Sequence, residues 1–142
     1  VLCCQHDYTP RTQQKFLGQM QTAYPRKNWS SFMVFNNVRC IGLTPEFVNT
    51  ATGLQLHRFQ WPTRAHPWPP DHPSPLITDD DIGALPLEWN WLVGEYEPSM
   101  DAKILHYTLG GPWFEGYATC DHADEWRAEL ARLQAVPTLQ GR

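Results

Sequence analysis

Six prolines crowd into fourteen residues: Pro62, Pro67, Pro69, Pro70, Pro73 and Pro75. Each removes a backbone donor and fixes φ, so neither a helix nor a central strand can run through this stretch. Regular structure must form on either side of it. Residues 62–81 therefore read as an irregular insertion within a single domain spanning 1–142, with 137–142 as a frayed tail after Pro137. His66 and His72 inside the insertion read as solvated side chains.

On the early side, Val1–His6 has the look of a core strand entered in mid-domain, and Ser31–Phe35 reads as a buried strand closed by Asn36-Asn37. Lys15–Met20 fits a short helix. Thr44-Pro45-Glu46 supplies an N-cap, a proline at the first helical position and an acid in the first turn, predicting a helix to about Thr52. On the late side, Leu85–Leu92 alternates as a strand with Trp89 and Trp91 on one face. Lys103–Tyr107 is the last strand. Asp121 then caps a helix to about Ala135, with Trp126, Leu130 and Leu133 on one stripe. Short apolar strands mixed with helices imply an α/β or α+β layer, not a bundle or a sandwich.

Charge and cysteine content exclude several classes. A net charge of −4 argues against a general nucleic-acid binder, which needs a basic face. No run is apolar and long enough to span a membrane. The four cysteines contain no C-x-x-C, so neither a zinc site nor a redox pair is indicated. Reduced thiols point to a cytoplasmic setting. Seven tryptophans serve a core and also suit stacking on sugar faces.

The stretch that carries chemistry is Lys103 to Trp113. A strand delivers His106 to its end, and Gly110-Gly111 follows before Pro112-Trp113. A neutral imidazole there can ligate a divalent ion, and glycine amides can face phosphate oxygens. Asp79-Asp80-Asp81 contains D-x-D but follows only Leu76 and Ile77, so it reads as a solvated acidic turn. His57 and His122 carry no constellation. Glu46 is favoured by the helix dipole whether or not it meets a ligand.

Four segments together resemble the C-terminal half of a GT-A type glycosyltransferase, similar to glycosyltransferase family 8 and a small bacterial subgroup. They are Asn28–Asn36, Thr44–Asn49, Leu85–Asn90 and His106–Trp113, in the family's order. The resemblance implies a partial GT-A-like mixed sheet with flanking helices, lacking the N-terminal nucleotide-binding half. His106 would hold Mn²⁺ together with an upstream D-x-D, and Gly110 and Gly111 would approach the donor diphosphate. Ser30, Ser31, Glu46, Trp89 and Asn90 would line the sugar and acceptor side. The closing motif lacks the family's lysine, and Pro45 stands where glutamine is usual. The chain is thus expected to serve nucleotide-sugar transfer without turning over alone, with a nucleotide sugar or glycan acceptor as partner and a homodimer covering its open sheet edge. The alternatives are a free-standing carbohydrate-binding domain without catalysis, or a complete enzyme holding a metal on Asp79, Asp81 and His106.

Overall fold

The computed structural model describes residues 1–63 and 75–136. Most of the proline-rich stretch, with His66 and His72, and the tail 137–142 lie outside the described residues. The architecture is mixed α/β: the described residues form two small sheets, three α-helices and several 3₁₀ turns. The chain forms two compact units, one of Val1–Thr9 with Ala23–Asn90, the other of Pro10–Thr22 with Trp91–Arg142.

The first unit is built on a three-stranded sheet. Strand β1 (Leu2–Cys4) is central, antiparallel to β2 (Met33–Val34) and parallel to β3 (Gly83–Leu85). A central strand covered on both faces buries successive side chains, and Cys3 and Cys4 are both 0% exposed. Burial pushes the Cys3 thiol up to about 11, with the neighbouring Cys4 adding to the shift. Cys3 packs with Phe59, Trp61 and Ile82. The Phe59 and Trp61 rings stack at 4.7 Å, and Trp29 meets Phe59 edge-on. Helix α1 (Pro45–Thr50) starts where expected, with the Phe47 amide donating to Thr44 Oγ1. Helix α2 (Gly53–His57) follows, opened by a Thr52/Gln55 capping box.

Two expectations for this unit are corrected. The strand at 32–35 is not buried: Val34 is 47% and Phe35 40% exposed, because β2 is an edge strand with one neighbour. The stretch 85–92 is not one strand. Pro86 has no N–H for a ladder, and Leu87–Asn90 closes into a 3₁₀ turn after β3. Trp89 therefore stands exposed, its ring stacked 6.5 Å from Phe32.

The second unit holds a two-stranded parallel sheet, β4 (Trp91–Leu92) beside β5 (Leu105–His106), with Leu92 opposite His106. Leu92, Val93, Leu109 and Ala123 are buried. The strand expected over Lys103–Tyr107 is paired only at Leu105–His106, and Ile104, which precedes the paired residues, is 37% exposed. An aromatic cluster joins Tyr107, Trp113, Phe114, Phe16 and Trp126. Residues 16–18 make one 3₁₀ turn in place of the expected helix, since Leu17 turns left-handed at φ 56°. Helix α3 (Ala123–Ala135) begins two residues after Asp121. His122 takes a left-handed φ of 57°, held by Tyr107 Oη donating to its carbonyl. Trp126 packs on Trp113 at 5.3 Å, yet Leu133 is 70% exposed. The expected stripe is thus covered only at its start: thirteen residues run about 20 Å, and the aromatic cluster reaches only the first turns.

Candidate functional site

Two parallel strands end on the same side of their sheet, and the loops leaving those ends are where ligands meet α/β folds. Here β4 runs into Gly94-Glu95, and β5 runs into Tyr107–Gly111. The segment 10–22 is tied to both loops. The Phe16 amide donates to the Leu109 carbonyl at 2.8 Å, which carries Lys15 across the end of β5. Lys15 Nζ then donates to Thr108 Oγ1 at 3.4 Å. The Arg11 amide donates to Glu95 Oε2 at 2.9 Å, and Gln21 Nε2 donates to Glu95 Oε1 at 2.8 Å.

The result is a buried cluster of polar side chains. Glu95 is 4% and Gln21 8% exposed. Gln21 Oε1 and His106 Nδ1 are both enclosed, and neither has a hydrogen-bond partner among the described residues. A buried polar atom without a partner is uncommon and points to a missing donor or ion. Burial pushes the Lys15 ammonium down, and the Glu95 carboxylate opposes that shift. Burial also lowers His106 from 6.5, with the Lys15 charge adding to it. The imidazole is thus kept unprotonated, the form in which a ring nitrogen can ligate a metal.

That shift carries a sign for stability. The unfolded chain protonates this histidine near 6.5 while the folded chain resists, so folding is favoured above that pH. Stability should fall as pH drops below about 6.5, levelling off beneath the folded value, and His106→Gln should flatten this part of the curve. Urea midpoints between pH 5 and 8 check it; an unchanged slope in the variant contradicts it.

Gly110 and Gly111 are buried, and their open sides are occupied. A Cβ on Gly110, at φ +145°, would stand 2.8 Å from Tyr117, and one on Gly111 would stand 2.0 Å from the Trp113 ring. Only glycine lets these rings close over the backbone. Neither glycine amide has a hydrogen-bond partner among the described residues. An anion at this turn would therefore meet the amides, not the Cα faces.

The remaining sequence-derived residues lie in the first unit. Asn90 is 1% exposed. Its Nδ2 donates to Ser31 Oγ at 2.8 Å and to the Asn28 carbonyl at 3.3 Å, and lies 2.9 Å from His6 Nε2. Ser31 Oγ donates in turn to Asn28 O, and Asn28 Nδ2 to Tyr8 Oη. Asn90 and Ser31 are thus joined in one network, with the Asn90 amide turned inward. Ser30 leaves that network for His57 Nδ1, at 2.7 Å, so His57 does have a constellation. Glu46 is exposed in the first turn of α1. Asp79–Asp81 forms a capped 3₁₀ turn. Asp79 pairs with Arg26, and Asp81 accepts from the Thr78 amide and hydroxyl, which hold its carboxyl low. A cleft of about 1030 Å³ opens beside β2, lined by Val34, Phe35, Val38 and Trp61, and of the candidate residues Asp81 borders it.

Sequence reasoning missed Lys15, Gln21 and Glu95. Lys15 stands 93 residues from Thr108, and its own segment shows neither period nor motif. Among the described residues, no group of three or more His, Cys, Asp or Glu side chains comes together as a metal cage. What is present is a single enclosed imidazole nitrogen, His106 Nδ1. No helix among the described residues is long and apolar enough to cross a membrane.

No protein-family model matches this chain, and no solved structure matches it. Protein CDI of Arabidopsis thaliana is 42% identical over 137 residues, an alignment covering 92% of this chain and 47% of that protein. The chain therefore spans about half the length of the curated relative it matches.

Proposed function

We propose that this chain is the diphosphate- and acceptor-side part of a nucleotide-sugar-dependent glycosyltransferase, completed by a nucleotide-binding half. One observation carries the reading: Lys15 places an ammonium on Thr108, two residues beyond His106, at the closing turn. The lysine absent from the closing motif is replaced from a distant segment. In the transfer reaction a diphosphate departs, and positive charge must meet it. Lys15 supplies that charge, Thr108 orients it, and the glycine amides donate to phosphate oxygens. His106 offers its enclosed nitrogen as one ligand to Mn²⁺. When bound, that ion adds Lewis-acid neutralisation of the leaving group. Its carboxylate ligands come from the other half.

This division of labour predicts how the chain behaves alone. With a single imidazole, Mn²⁺ binds weakly, because oxygen ligands supply most of the preference for such ions. UDP should therefore bind through Lys15, with an affinity near about 1 mM. Lys15→Met should weaken it about tenfold, the loss of one charge-assisted contact. Isothermal calorimetry with UDP, with and without Mn²⁺, measures both. Micromolar, Mn²⁺-dependent binding lost in His106→Ala means that this chain holds the carboxylates itself, and Asp79 and Asp81 are then the first to replace.

A further inference from the structure

Positive φ at non-glycine residues is costly and gathers at functional sites. Of five such residues described, three border one patch of the first unit: Arg26 at 60°, Asn28 at 62° and Phe59 at 59°. Beside them in the chain stand Tyr24, Ser30, His57 and Arg58. Ser30 Oγ is 2.7 Å from His57 Nδ1, and the Tyr24 and His57 ring centroids are 6.4 Å apart. Lys27 Nζ sits 4.9 Å from the centre of the Tyr24 ring. Burial raises the Tyr24 hydroxyl, while the Asn28 amide and the Arg58 charge oppose the shift. Arg58 follows His57 directly in the chain.

The cations here differ in how they are used. Arg26 is committed: it pairs with Asp79, donates to the Arg58 carbonyl at 2.6 Å and lies 5.9 Å from the Trp29 and Phe59 ring centres. Arg58 is not. Its Nε is enclosed and has no hydrogen-bond partner among the described residues. A guanidinium donor kept from water and left unpaired calls for an oxyanion.

We propose that Arg58, His57, Ser30 and Tyr24 bind a phosphate monoester carried by the acceptor. The proposal rests on the acceptor-side reading above and names the acceptor's chemistry. Arginine presents a planar fork suited to two phosphate oxygens. Ser30 Oγ and His57 Nδ1 share a hydrogen bond whose direction follows the ring tautomer. With Nδ1–H as the donor to Ser30 Oγ, the hydroxyl turns its own proton to a third oxygen. Tyr24 Oη closes the site beside it. A carboxylate has only two oxygens for these donors, which favours the tetrahedral anion.

Titration of the chain with inorganic phosphate, glucose 6-phosphate and glucose, followed by ³¹P and ¹H–¹⁵N NMR, tests this. Glucose 6-phosphate should bind, move the His57 ring and Arg58 Nε signals, and bind more tightly than inorganic phosphate. Ser30→Ala and His57→Gln should each weaken it about tenfold. Because the Ser30–His57 pair is exposed, Ser30→Ala is the decisive variant, and Arg58→Lys with its melting curve supports it. Equal affinity for the two phosphates, or a Ser30→Ala variant that binds as well as the parent, overturns the proposal. UDP binding lost through Lys15 with this phosphate site intact, or the converse, shows which reading has failed.

Discussion

Replacing Asn90 with leucine is expected to destabilise the first unit by about 3 kcal/mol, although volume is nearly conserved. The Asn90 amide is the shared donor for Ser31 Oγ, the Asn28 carbonyl and His6 Nε2. Leucine removes every one of those donations while the acceptors stay in place. Each acceptor left dry costs about 1–3 kcal/mol, and relaxation towards water recovers part of that. The loss also removes one of the bonds on Asn28, which holds a left-handed φ of 62°. Urea unfolding followed by far-UV circular dichroism reads the change. A variant as stable as the parent would mean that the amide is spare and faces a ligand instead.

The second large effect is expected at Gly111→Ala. The added methyl stands 2.0 Å from Trp113, a distance no pair of carbons tolerates. The ring is half exposed, and turning it away gives up its packing on Tyr107, Phe114 and Trp126. Overpacking of this kind costs about 1–3 kcal/mol. The Trp113 indole N–H resonance should shift or broaden, and α3 should loosen, because Trp126 is its contact with the cluster. An unmoved Trp113 resonance contradicts the packing described for the closing turn.

The sequence made visible whatever is encoded locally. Thr44-Pro45-Glu46 announces α1 because a cap, a proline and an acid act within one turn. Asp79–Asp81 reads as a solvated acidic turn, and it is one. Pro86 was as informative a signal, but alternation on either side of it suggested a continuous strand. Burial was harder to read: Val34 and Leu133 are as apolar as core residues, and exposure depends on whether a neighbouring element covers them. The candidate site was half visible. His106, Gly110 and Gly111 lie in one short motif. Lys15, Gln21 and Glu95 reach that turn only through tertiary contacts, and charged or amide residues in a polar segment carry no local mark of burial. The Ser30–His57 pair is likewise a product of the fold.

The central claim is that the turn after β5, served by Lys15, is a diphosphate site. The most direct measurement is a ¹H–¹⁵N NMR titration of the chain with inorganic pyrophosphate, without metal. The account predicts that the Gly110 and Gly111 amides and the Lys15 side chain move together along one binding curve. The same curve should weaken about tenfold in Lys15→Met. Pyrophosphate shifts confined to other residues, or unchanged glycine amides at saturation, would contradict it.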